Sequence, residues 1–120
     1  MPPSPHLTGL EVETVGDVTV ARFTRRSFLA PELVEALAEQ MLRLVEESSC
    51  CKFVLNFANV ETMTTAMVGN IVQLQKKIED GGGRLALCNV DPFLLEIFKI
   101  LNLRRVFAIH TDEASALASF

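Results

Sequence analysis

The chain has no tryptophan, no tyrosine, three cysteines and two histidines. All eight aromatic residues are phenylalanine, which suits a packed core and offers no polar-edged ring for stacking on a sugar or base. The cysteines are Cys50, Cys51 and Cys88, an odd number with no Cys-x-x-Cys, and His6 and His110 lie far from them. That spacing argues against a zinc site or a disulfide framework and points to reduced thiols in a cytoplasm. Basic residues are not in excess. The net charge is −4, so there is no broad positive field for nucleic acid, and the dense positive spots are the pairs Arg25-Arg26, Lys76-Lys77 and Arg104-Arg105. Long apolar runs are also missing. The longest uncharged apolar-rich stretch, Thr62 to Leu74, is too short to cross a bilayer and is interrupted by Gly69, Asn70 and Gln73. Residues 1–9 open with Met1-Pro2-Pro3-Ser4-Pro5-His6, which lacks the charged and apolar regions of a signal peptide, and they read as a flexible tail before one domain spanning 10–120.

What is present is a globular pattern. Apolar residues make up 49% and charged residues 22% of 120 residues, enough for one buried core and too apolar for disorder. Leu10 to Thr14 alternates, Gly16-Asp17 breaks the pattern, and Val18 to Phe23 follows, which predicts a hairpin. Ala30-Pro31-Glu32-Leu33 opens a helix whose stripe is Leu33, Val34, Leu37, Met41, Leu44 and Val45. Lys52 to Phe57 reads as a strand buried on both faces, and Asn59 to Thr65 as a loop into a second helix. Met67, Ile71, Leu74 and Ile78 form that helix's stripe, and Asp80-Gly81-Gly82-Gly83 ends it. A strand over Arg84 to Asn89 precedes a third helix opened by Asp91-Pro92, with Phe93, Leu94, Ile97, Phe98 and Leu101 as its apolar positions. Val106 to Ile109 predicts the last strand, and Thr111-Asp112-Glu113 caps a final helix. The order β-β-α-β-α-β-α-β-α implies a single α/β domain with a mixed, mainly parallel sheet.

Catalytic chemistry finds little footing. The glycines at 81–83 leave a helix and enter a strand, the reverse of a phosphate loop, so they read as a cap and turn. Cys50, Cys51 and Cys88 have no sequence-local base and read as structural thiols, with a Cys50- or Cys51-dependent enzyme or ligand binder as the competing hypothesis. His110 reads as a solvated loop histidine. Glu61 with Asp80, or Asp91 with Asp112, would be the acid–base pairs to consider, yet capping and surface roles account for all four. No catalytic residue, metal or cofactor is expected. The stretch Thr62-Met63-Thr64-Thr65 is more informative: its hydroxyls can cap a helix, and a helix start also tolerates a phosphate, which would add about −1.5 to −2 charges there.

The segments Gly16-Asp17-Val18, Ala30-Pro31-Glu32-Leu33, Phe53 to Val60, Gly81 to Val90, and Leu101-Asn102-Leu103 followed by Val106-Phe107 occur in an order and spacing that resembles the STAS domain family, from about Leu10 to Phe120. The resemblance implies a STAS-like fold and a protein-docking function similar to that of anti-sigma factor antagonists. In that scheme a serine-kinase anti-sigma factor phosphorylates the antagonist at the start of its second helix, and a PP2C-type phosphatase restores binding. Mapped onto Met63, Thr64, Thr65, Ala66 and Met67, the family pattern puts the phospho-acceptor at Thr65, with Thr64 as the lesser alternative. The partner-binding residues implied are Thr62, Met63, Thr64, Thr65, Ala66, Met67 and Asn70, within a surface running from Thr62 to Gln75. The chain departs from the pattern at Thr64, where the family has Asp, at Met67, where it has Gly, and at Asn56, where a strand Asp is usual. Met67 is thereby expected to bring a bulky side chain to the docking surface. These departures leave two readings open: a partner-switching regulator, or a constitutive STAS subunit of a stress-signalling assembly or a lipid-transport ATPase complex that binds another STAS-binding protein. The resemblance also leaves room for a homodimer and implies neither nucleic-acid binding nor membrane insertion.

Overall fold

A computed structural model of the chain describes residues 9–47 and 52–120. The expected tail and the thiols of Cys50 and Cys51 therefore lie outside the described residues, apart from Gly9. The hairpin forms as its alternation predicts: β1 (Leu10–Val15) and β2 (Val18–Phe23) pair antiparallel with Val15 opposite Val18. Gly16 holds the turn at φ +63°, a left-handed conformation that a residue with a Cβ resists. Beyond β2 come β3 (Ser27–Phe28), α1 (Pro31–Glu47), β4 (Lys52–Asn56), β5 (Thr62–Met63), α2 (Thr65–Asp80), β6 (Arg84–Cys88), α3 (Pro92–Ile100), a 3₁₀ turn (Leu103–Arg105), β7 (Ala108–His110) and α4 (Glu113–Ala118).

The main sheet has the order β1-β2-β4-β6-β7, parallel from β2 onward. Each parallel step is bridged by one helix, and α1, α2 and α3 all cover the same face. Val34, Leu37 and Met41, then Met67, Ile71, Leu74 and Ile78, then Leu94 and Phe98 meet Phe53, Leu55, Leu85 and Leu87 in one core. Phe23 packs edge-on to Phe28 and tilts against Phe57, while Phe98 meets Phe57 edge-on and tilts against Phe107. The opposite face carries a smaller cluster of Val18, Val20, Val54, Ala86 and Cys88 under α4, which contributes Ala116.

Three local expectations change. The loop before α2 contains β5, which pairs in parallel with β3; two residues are too few to announce a strand by alternation. Phe93 and Leu101 are exposed, whereas Leu94 and Phe98 are fully buried. α3 is apolar on more than one side, so a list of its apolar positions overstates the buried stripe. The last strand begins at Ala108, because Val106 and Phe107 close the 3₁₀ turn by donating their N–H groups to the Leu103 carbonyl. The glycines after α2 do cap and turn: Gly81, Gly82 and Gly83 donate to the carbonyls of Lys77, Glu79 and Ile78, with Gly82 at φ +84°.

Candidate functional site

Right-handed crossovers run every bridging helix back against the strands, so α1, α2 and α3 all begin at the carboxyl edge of the parallel sheet. The small β3–β5 pair lies there, between the connections that lead into α1 and α2. The Arg26 carbonyl accepts from the N–H groups of Glu61 (2.7 Å) and Thr62 (3.2 Å), and the Phe28 carbonyl accepts from Thr64 N–H (3.2 Å). Asn59 Nδ2 donates to the Phe23 carbonyl at 3.0 Å, and Phe57 N–H to the Cys88 carbonyl at 3.0 Å. These bonds tie the segment before α2 to both neighbouring strands.

Thr64 is the N-cap of α2: its Oγ1 accepts from Met67 N–H at 3.1 Å while its carbonyl accepts from Val68 N–H. An extended φ of −74° and ψ of 160° aim the hydroxyl back at the first turn. Helix geometry leaves the N–H groups of Thr65 and Ala66 without an intrahelical acceptor. Both residues are exposed, as is Gly69, and Asn70 is half-buried. The first two turns of α2 thus show solvent a surface without charge. α1 differs: its outer face carries Glu32, Glu35, Glu39, Arg43 and Glu46, all exposed, as an ordinary solvated helix face does.

Not every residue expected at the docking surface lies on it. Met63 and Met67 are buried in the core, so the expectation that Met67 stands on the surface is corrected: it sits two positions past Thr65, where α2 turns inward. Gln75 is also buried, donating to the Val106 carbonyl (2.9 Å) and to Glu79 Oε1 (2.8 Å). The accessible group is Thr62, Thr64, Thr65, Ala66, Gly69 and Asn70. Leu29, 56% exposed one residue past Phe28, joins this edge. Sequence reasoning missed it because only the β3–β5 pairing brings it beside Thr64.

Asn56 ends β4 and is buried among polar partners. Its Oδ1 accepts from Ala58 N–H (2.9 Å) and Asn89 Nδ2 (3.2 Å), and its Nδ2 donates to Glu113 Oε1 (3.1 Å). Glu113 also receives a two-pronged contact from Arg22 Nε and an Nη, each at 2.9 Å. That contact holds the Glu113 carboxyl below the usual range, with Asn56 adding to the effect, and raises the Arg22 guanidinium. An aspartate at position 56 would set a second carboxylate against Glu113, so the amide suits this chain.

The candidate acid–base residues have other places in the fold. Glu61 precedes α2 and Asp80 ends it, about 24 Å apart along a 16-residue helix. Asp91 caps α3 at Phe93 N–H (2.9 Å), and Asp112 caps α4 at Ser115 N–H (2.8 Å). Cys88 is fully buried, and burial pushes its thiol up to about 12. His110 is half-buried at the end of β7 beside a shallow hollow lined by Val90, Leu95, Ile109 and Thr111. Among the described residues no helix is long and apolar enough to cross a membrane.

A family model described as the STAS domain matches residues 10–116. An anti-sigma F factor antagonist of Paenibacillus polymyxa is 28% identical over 78 residues, covering 65% of this chain and 67% of the relative. Among solved structures, a Thermotoga maritima protein provisionally assigned as an anti-sigma factor antagonist superposes with a TM-score of 0.82 at 20% identity, covering 97% of each chain. The Bacillus cell-fate determinant SpoIIAA in its phosphorylated form superposes with a TM-score of 0.71 at 19% identity, covering 92% of this chain and 99% of that one.

Proposed function

This chain belongs to the STAS domain family, and we propose that it works as an anti-sigma factor antagonist: it docks through the start of α2 onto a serine-kinase anti-sigma factor, so freeing a sigma factor. The observation that carries the reading is the uncharged, exposed surface of Thr65, Ala66 and Gly69 at a helix start whose first N–H groups are open. The antagonist relative from Paenibacillus polymyxa supports it. In this reading the domain is a regulatory binding protein of the cytoplasm and not an enzyme.

We assign Thr65 as the phospho-acceptor. Its side chain is exposed, whereas the Thr64 hydroxyl is occupied in the cap. Phosphate on Thr65 would sit at the positive end of α2, stabilising the isolated domain. It would also place about −1.5 to −2 charges in the centre of an uncharged contact, expelling the partner. A PP2C-type phosphatase would reverse the step. That SpoIIAA, a protein of the same fold, exists in a phosphorylated form supports this assignment.

The test is a calorimetric titration against the serine-kinase anti-sigma factor encoded in the same genome. Thr65→Ala is expected to bind like the native chain and Thr65→Asp at least tenfold more weakly. Equal affinities for the two variants would remove the switch and leave a constitutive docking subunit. No binding by the native chain would remove the antagonist reading itself.

A further inference from the structure

Two large apolar side chains stand exposed at the carboxyl edge, one on each side of Thr65. Leu29 is 56% exposed and Phe93 66% exposed. Leu29 follows Phe28, whose carbonyl accepts from Thr64 N–H, so it borders the start of α2 on the α1 side. Phe93 is the second residue of α3. Asn56 and Cys88 are partners in the β4–β6 register, and Asn89 Nδ2 bonds Asn56 Oδ1, so the connection into α3 lies beside the connection into α2. The edge-on contact of Phe57 with Phe98, 6.4 Å between ring centres, brings α3 against the same connection. Leu29, Thr65 and Phe93 therefore follow one another along a single edge, at the starts of three neighbouring helices.

We infer that Leu29 and Phe93 are the apolar anchors of the docking surface, inserting into two apolar pockets of the partner on either side of Thr65. The inference rests on the docking function proposed above and adds what holds the partner there. A surface made only of Thr65, Ala66 and Gly69 offers little apolar area, while binding energy concentrates in a few large, desolvated side chains. Phe93 loses nothing within its own domain by being exposed except apolar burial, and its N–H is already satisfied by the Asp91 cap at 2.9 Å. The arrangement also explains how one phosphate could release the partner. A charge between two anchors prevents both from being seated dry.

Leu29→Ala, Phe93→Ala and the double variant would be titrated against the same serine-kinase anti-sigma factor, with Ile100→Ala as a control at the far end of α3, where the side chain is 78% exposed. Each anchor variant is expected to weaken binding by about tenfold or more, the threshold of an interface hot spot being about thirtyfold. Ile100→Ala is expected to bind like the native chain. All three sites are exposed, so thermal unfolding should be unchanged. Native affinity in both anchor variants, with Thr65→Asp still weakened, would overturn the anchors and leave the docking function standing. Equal losses in Ile100→Ala would overturn them too, by showing that the whole of α3 is involved. Failure of the native chain to bind would overturn the docking function and the anchors together.

Discussion

Gly69 separates folding from docking at one position. It lies in the second turn of α2, and an ideal Cβ built there meets no heavy atom within 4 Å. Its backbone is helical, so Gly69→Ala introduces neither strain nor a clash. Removing a glycine from an exposed helix interior should stabilise the domain by about 0.8–1.0 kcal/mol. For a domain of this size, a change of that order raises the melting temperature by about 3–6 °C. If the outer face of α2 is where a partner's backbone closes in, the same methyl group must weaken the complex, and Gly69→Lys must weaken it further. Denaturant unfolding followed by circular dichroism gives the first quantity, and titration against the serine-kinase anti-sigma factor the second. A loss of stability in Gly69→Ala would refute the open, unstrained geometry. A gain in stability with undiminished binding, in both variants, would refute the assignment of this face to docking.

Other consequences follow from buried groups. Met67→Gly, which restores the family's residue, should destabilise the domain by about 3–5 kcal/mol, since it empties a core position and adds a helix glycine; an unchanged denaturation midpoint would contradict the inward placement of Met67. The Glu113 carboxyl is held below its ordinary value by Arg22. A depressed carboxylate binds fewer protons in the folded than in the unfolded state, so its contribution is present above the ordinary value near 4.5 and is lost as pH falls below it. Unfolding between pH 6 and pH 3, a window of about the width linkage requires, should show a shallower loss of stability in Glu113→Gln than in the native chain; parallel curves would contradict the pairing. Cys88, its thiol pushed up to about 12 by burial, should resist iodoacetamide in the folded domain at neutral pH and react once urea unfolds it, as peptide mass mapping would reveal. Ready modification of the folded protein at Cys88 would contradict its burial.

The elements that the sequence announces are those with a strong period or a strong breaker. The stripe Met67, Ile71, Leu74 and Ile78 reports a helix face by spacing alone, and all four residues are buried. Asp91-Pro92 marks the start of α3 because a cap and a proline satisfy the same local geometry. What stayed hidden depends on contacts distant in sequence. The β3–β5 pair is two residues on each side, and its partners Ser27 and Thr62 carry no pattern of their own. Asn56 reads as a departure from a family residue until Glu113, 57 positions later, is seen to accept its amide proton. Phe93 and Phe98 are alike to any hydropathy pattern, yet one is exposed and the other buried, because the sheet covers only one side of α3. The same holds for the candidate site. Thr65 was legible as a helix start, while Leu29 and Phe93 join it only through strand pairing and the order of the helices.

Amide chemical-shift mapping of the ¹⁵N-labelled domain, titrated with the unlabelled serine-kinase anti-sigma factor, addresses the docking edge most directly. The account predicts that the largest shifts fall on Leu29, Thr64, Thr65, Ala66, Gly69 and Phe93, leaving the α4 face and β1 unmoved. Shifts concentrated on α4 or along the open edge of β1, with Thr65 and Ala66 unperturbed, would contradict it.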